Sequence, residues 1–167
     1  MKTYIGTKLV KMKPMNRADY NTYRGWTLPA DENGADEGYL VEYLDGGKPN
    51  HPDHEGYISW SPKAQAEAAY RETSGLTFGL AVEALKKGMK VARAGWNGKG
   101  MWLQYVAASA WDVAPGTLDT FSCNPSTANL LPWIGMKTAD NKFVPWLASQ
   151  TDVLAEDWMI VEQGEEQ

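Results

Sequence analysis

The residues from Val91 to Leu103, VARAGWNGKGMWL, constrain the fold more than any other stretch of this sequence. Val91 and Arg93 alternate as a short strand, and a second strand runs from Met101 to Val106. Between them lie Gly95, Gly98 and Gly100, which free the backbone to take positive φ and let another group approach closely. Asn97-Gly98 is a strong tight-hairpin signal, and a chain that doubles back here must build antiparallel pairing. The turn also carries chemistry. Trp96 offers a flat aromatic face, and Asn97 and Lys99 offer donors. Two readings follow from the residues alone: a structural hairpin whose Trp folds onto the core, or a turn built to hold a ligand.

Composition narrows the classes. With 167 residues and 43% hydrophobic content, the chain is one large domain or two small ones. No run approaches the roughly 20 apolar residues of a membrane span. The N-terminus, MKTYIGTKLVKMK, scatters charges and has no apolar signal core, so the expectation is a cytoplasmic protein. The single cysteine, Cys123, cannot form an internal disulfide and reads as a free buried thiol. A net charge of −5 with no basic run argues against a duplex nucleic-acid partner. A few aimed N–H groups still suffice to hold a small anion. Eight tryptophans supply core, stacking faces or interface anchors.

Residues 1–13 read as a strand ended by Pro14, with Ile5, Thr7 and Leu9 on one face. Asn16 caps a short helix from Arg17 to Arg24, stopped by Gly25. A polar loop from Thr27 to Gly38 leads to a strand at Tyr39–Leu44 and the turn Asp45-Gly46-Gly47. His51, Asp53, His54 and Glu55 follow in a loop broken by Pro52. Their spacing does not make the side chains converge as separated zinc ligands do, so no metal is assigned. Tyr57–Trp60 is a strand. Ser61 and Pro62 open a helix from Lys63 to Arg71, with Ala64, Ala68 and Arg71 on one side. Glu72 to Gly75 is the linker between two halves, 1–72 and 76–163.

In the second half, Thr77 caps a helix with Phe78, Ala81, Val82 and Leu85 at helical spacing, ended by Gly88. After the glycine turn, residues 107–130 are poorly determined by pattern. Trp133–Lys137 and Phe143–Leu147 form a second hairpin, with Pro145 marking an edge strand. Ser149-Gln150-Thr151-Asp152 caps a short helix through Glu156, and Trp158–Glu162 is the last strand. One helix followed by short strands, without βαβ alternation, gives an α+β fold: a small antiparallel sheet with one main helix, preceded by a small α+β module.

Catalysis finds few candidates here. Both histidines sit in the N-terminal loop, and Ser149, Thr151 and Asp152 have no base placed by any motif. The expectation is a protein that is not an enzyme and needs no cofactor. A binding site asks for less. Trp96 suits a purine face, and Asp152 or Asn97 suits ribose hydroxyls. The N-terminus of the Thr151 helix suits phosphate. Lys99 and Arg93 add charge, and Trp146 either closes a pocket or joins the core.

Two long runs carry a resemblance: FGLAVEALKKGMKVARAGWNGKGMWL and MKTADNKFVPWLASQTDVLAEDWMIVE. Phe78 to Glu162 resembles the second-type Thoeris anti-defence proteins of bacteriophages. That family sequesters, without degrading it, a cyclic ADP-ribose-type signal made by bacterial TIR-domain defence enzymes. The resemblance implies a GWN turn and an SQTD segment lining a pocket between protomers of a homo-oligomer, a tetramer or dimer. At the matching motif positions stand Trp96, Asn97, Met136, Ser149, Thr151 and Asp152, with Phe78 also reaching the pocket. The first 71 residues resemble small phage modules with the pattern YRGW…DEGYLVEY…HPDHEGYISW, which adds a source and no activity. Two other readings stay open: a sponge for cyclic di- or trinucleotides, or a structural or interaction module of a phage.

Overall fold

The computed structural model describes residues 1–96, 100–108 and 131–161. The chain divides into two compact units, Met1–Arg71 and Glu72–Gln167. Both are α+β, each built on an antiparallel sheet. No helix among the described residues is long and apolar enough to cross a membrane.

In the first unit, β1 (Val10–Pro14), β2 (Gly38–Tyr43) and β3 (Tyr57–Pro62) pair in that order. The first strand is shorter than the sequence pattern implies. Val10 already faces Tyr43, the last residue of β2, so residues before it have no strand to pair with, and Ile5 is fully exposed. Pro14 does not end the strand but closes its last pair with Tyr39; on an edge strand its missing N–H costs little.

Helix α1 (Arg17–Tyr23) starts where Asn16 accepts the Asp19 N–H at 2.7 Å, and Gly25 follows it with φ 68°. It buries Tyr20 against Leu40 and Ile58, with Met15, Tyr23 and Trp60 packed around them. The Trp60 indole N–H donates to the Met15 carbonyl at 2.8 Å, so the ring enters the core with its one polar group satisfied.

Helix α2 (Lys63–Ala69) differs from the expectation in two ways. Ser61 and Pro62 stay in β3, where Ser61 faces Tyr39, and Pro62 is the cap residue without any side-chain cap bond. The strand's pairing outweighs the local capping preference. The buried alanine of the helix is Ala66. It ends at Ala69, before Arg71.

The second unit starts earlier than its helix. The Thr73 carbonyl accepts the Ile160 N–H, and Leu76 exchanges both backbone bonds with Trp158. Part of the expected linker is therefore pinned to the last strand. Helix α3 (Phe78–Lys86) is capped by Thr77, whose Oγ accepts the Leu80 N–H. It presents Ala81, Ala84 and Leu85 to the sheet.

That sheet has the order β7-β6-β5-β4-β8: β4 (Lys90–Arg93), β5 (Trp102–Val106), β6 (Trp133–Lys137), β7 (Phe143–Pro145) and β8 (Trp158–Val161). Pro145 lies on the edge strand, as its missing donor requires. Leu76, Val91, Leu103 and Trp158 complete a core in which Trp158 is wholly buried. Burying a residue of this size is worth about 3 kcal/mol or more from apolar area alone.

Candidate functional site

The glycine turn departs from a two-residue hairpin. β4 ends at Arg93 and β5 begins at Trp102, and a 3-10 turn at Ala94–Trp96 follows β4. Asn97 and Lys99 lie outside the described residues, as do Cys123 and most of the 107–130 stretch.

Trp96 is half-buried. Its ring meets Trp158 edge-on at 5.7 Å between centroids. Trp146 does the same from another side at 5.9 Å, and Phe78 leans on both, 5.6 Å from Trp158 and 6.2 Å from Trp146. Three of the sequence candidates thus gather around one buried ring. Met136, on β6 opposite Leu103, packs on the same core. The sequence left core and pocket as rival roles for Trp96, Trp146 and Phe78. Their half-buried state gives each of them an inner face in the core and an outer portion toward solvent.

The SQTD segment forms α4 (Gln150–Val153), shorter than expected, with a complete capping box. Ser149 Oγ donates to Asp152 Oδ2 at 2.6 Å and accepts the Asp152 N–H at 3.2 Å; Asp152 Oδ2 in turn accepts the Ser149 N–H at 3.0 Å. Thr151 is exposed, its hydroxyl 2.8 Å from that of Ser149. A helix of four residues has little dipole, and the Asp152 carboxylate already occupies its N-terminal end. Attraction of phosphate to this N-terminus is accordingly weak.

Arg93 ties the two segments together. From the end of β4 its Nε donates to Asp157 Oδ1 at 2.8 Å and its Nη1 to Asp152 Oδ1 at 3.0 Å. The same Nη1 is 3.5 Å from the Thr151 carbonyl oxygen. The Trp158 indole N–H donates to the Asp152 carbonyl at 3.0 Å, fixing α4 over the aromatic core. Asp157 is held below its usual carboxylate range, chiefly by the bond from Arg93. For Asp152, burial works to raise the pKa, but bonds from Ser149 and Arg93 outweigh it and the net shift is downward. The guanidinium is raised in turn, by Asp157 first and Asp152 second.

Asp157 and Trp158 were not among the sequence candidates. A surface carboxylate next to a strand carries no local signal, and Trp158 read only as strand. Their roles depend on β8 lying beside β4, with Arg93 facing Trp158.

In the N-terminal unit, His54 Nδ1 of the loop lies 3.1 Å from Oε2 of the strand residue Glu42, and His51 Nδ1 lies 3.8 Å from Asp53 Oδ2 with its ring 5.7 Å from that of His54. Among the described residues no group of three or more histidine, cysteine or acidic side chains is arranged to hold a metal ion.

The second unit is thus a five-stranded antiparallel sheet under one helix, with an aromatic cluster opening beside an arginine-clamped, capped turn. Residues 76–161 match the family model of the Thoeris anti-defence 2-like domain. The protein named Thoeris anti-defence 2 from Bacillus phage SP01 is 48% identical over 88 residues, which span 52% of this chain and 94% of that protein. The chain belongs to the Thoeris anti-defence 2-like family, a phage anti-defence family.

Proposed function

We propose that the chain binds a cyclic nucleotide immune signal of the cyclic ADP-ribose type and sequesters it intact, in the host cytoplasm, on behalf of a phage. The observation that carries this reading is the Arg93 clamp, which holds the GWN turn and the SQTD cap side by side over one aromatic cluster. Trp96 then supplies the stacking face for a purine. The exposed Thr151 hydroxyl and the remaining lone pairs of Asp152 meet ribose hydroxyls, with Ser149 holding that carboxylate in place. Phe78, Trp146 and Met136 shape the apolar wall, and Asn97 and Lys99, which follow Trp96 in sequence, lie outside the described residues.

Binding without turnover is supported by the state of these groups. The Ser149 hydroxyl donates to a carboxylate and not to a histidine or lysine. The lowered pKa of Asp152 makes it a poor proton acceptor near neutrality. Both histidines of the chain lie in the other unit. Assembly into a homo-oligomer, with pockets between protomers, is supported by Leu147, Val153 and Leu154, which flank the cap and are exposed.

The test is to load the protein with the cyclic signal, remove unbound material, heat-denature and analyse what is released. Intact signal at a fixed ratio to protomer is expected. Cleaved product at many turnovers would overturn sequestration and make this a degrading enzyme.

A further inference from the structure

The N-terminal unit holds a built cluster that the proposed function does not use. On the α1-facing side of its sheet lies an open cavity of about 310 Å³, at the lower end of the range for small-molecule sites. Its floor is Met15 and Leu40, its wall Tyr23, His54 and Asp53, and its rim Lys11 and Lys13.

The wall is fixed from behind. Glu42, a buried carboxylate, accepts the backbone N–H groups of Glu55 and Gly56 on Oε1, both at 3.1 Å. Its Oε2 is 3.1 Å from His54 Nδ1. Gly56 permits this, because its backbone packs against the Tyr43 carbonyl where a Cβ would collide. With Nδ1 turned to Glu42, the other ring nitrogen of His54, Nε2, lies 3.0 Å from the Tyr23 hydroxyl. The ring of His51 stacks on Tyr23 at 4.3 Å and holds the phenol in place. Burial first, and the charge and hydrogen bond of the Asp53 carboxylate second, keep that phenol above its usual pKa.

The register sets the opposite side. Lys11 faces Glu42 and Lys13 faces Leu40, so both lysines rise on the same side of the sheet as the cavity floor. Neither is in an ion pair among the described residues, and the charge of Glu42 is already answered by His54 and two N–H groups. The cavity therefore offers two ammonium groups on one side. On the other it offers acceptors: the Asp53 carboxylate, 3.8 Å from His51 Nδ1, and the Tyr23 oxygen, 3.0 Å from His54 Nε2. A complementary ligand carries a dianion at one end and hydroxyl donors at the other.

We propose that this cavity is a ligand site for a small sugar phosphate, the phosphate held by Lys11 and Lys13 and the sugar hydroxyls by Asp53 and Tyr23. It is separate from the signal site of the second unit. The acidic balance of the whole chain does not oppose it, because a paired-lysine rim acts locally, within about one Debye length.

The protein's two histidines are His51 and His54, so its histidine proton resonances report on this cavity and nowhere else. The full chain is titrated with ribose 5-phosphate, with ribose and inorganic phosphate as separate arms, following those resonances. Saturable shifts are expected with ribose 5-phosphate, at an apparent Kd at least about tenfold below that for inorganic phosphate and with none for ribose. The double substitution Lys11→Gln/Lys13→Gln, at exposed edge-strand positions, is expected to weaken binding by about tenfold or more while leaving the melting temperature unchanged. Trp96→Ala, in the other unit, is expected to leave these shifts intact, which separates this site from the proposed signal site. No saturable histidine shift with ribose 5-phosphate would overturn the proposal. So would equal affinity for inorganic phosphate, or unchanged binding by the lysine variant.

Discussion

The two units solve the same problem, closing a small antiparallel sheet under helices, with different interiors. The N-terminal unit takes an ionised group inside: Glu42, tied to His54 and two backbone N–H groups. The C-terminal unit takes an aromatic ring inside, Trp158, and leaves its charges at the rim, where Arg93 spans Asp152 and Asp157. The difference teaches where each unit is vulnerable. An apolar centre fails when volume is removed, whereas a buried carboxylate fails when a partner or the charge is removed.

The largest effect is expected from Trp158→Ala. Removing a wholly buried indole that Phe78, Trp96 and Trp146 all touch should cost about 3–5 kcal/mol, read from the chemical denaturation midpoint. A loss under about 1 kcal/mol would mean the cluster collapses into the space, and the contrast between the units would fail.

Next comes Glu42→Ala, which strips the N–H groups of Glu55 and Gly56 and the His54 ring of their shared acceptor. About 2–3 kcal/mol is expected. The substitution Glu42→Leu asks whether an apolar residue substitutes as well as the carboxylate; if it restores stability, the buried charge serves position and not stability.

Trp96→Ala sharpens the comparison from the side of function. Half of the ring packs on Trp158, so about 1–2 kcal/mol of stability should go. The outer face should matter more. A roughly ten- to hundredfold weaker hold on the cyclic signal is expected, the factor that about 1–3 kcal/mol of stacking implies. Thermal shift with the signal present checks both numbers together, since bound ligand raises the melting point by mass action.

The smallest effect is in pH. Asp152, Asp157 and Glu42 all have folded-state pKa values below their ordinary ones. Each therefore adds stability at any pH above its unfolded value, near 4. That stability is lost as pH falls through the lower folded value. For Glu42 the first cause is the bond with His54, followed by the Gly56 N–H. Stability should stay level from neutrality to about pH 5 and then drop. Arg93→Gln should shrink the part of the drop that belongs to the C-terminal unit, measured by Trp fluorescence against pH. An equally steep fall in that variant would show that the clamp contributes nothing.

The sequence by itself determined what local chemistry decides. Asn16, Thr77 and Ser149 are caps because a short polar side chain reaches an N–H three residues on, where no strand claims the residue as one does Ser61. Pro145 is on an edge strand because it lacks a donor wherever it is placed. The helix after Thr77 and the return of the chain at the glycine turn follow from spacing alone. The family resemblance also named Phe78, Trp96, Met136, Ser149, Thr151 and Asp152 as candidates.

Tertiary structure decided what depends on which strand lies beside which. It moved the start of β1 from residue 1 to Val10, because β2 supplies no partner earlier. It kept Ser61 in a strand against its capping preference. It gave Arg93 two partners about sixty positions away, and made Trp158 the ring on which Phe78, Trp96 and Trp146 meet. Most of all, it turned His54 from one member of a polar loop into the partner of Glu42, a strand residue with no local mark of its role. A cap is satisfied within one turn of its own chain. The partner of a buried charge or a central ring is fixed by register across a sheet, and register is written in no single segment.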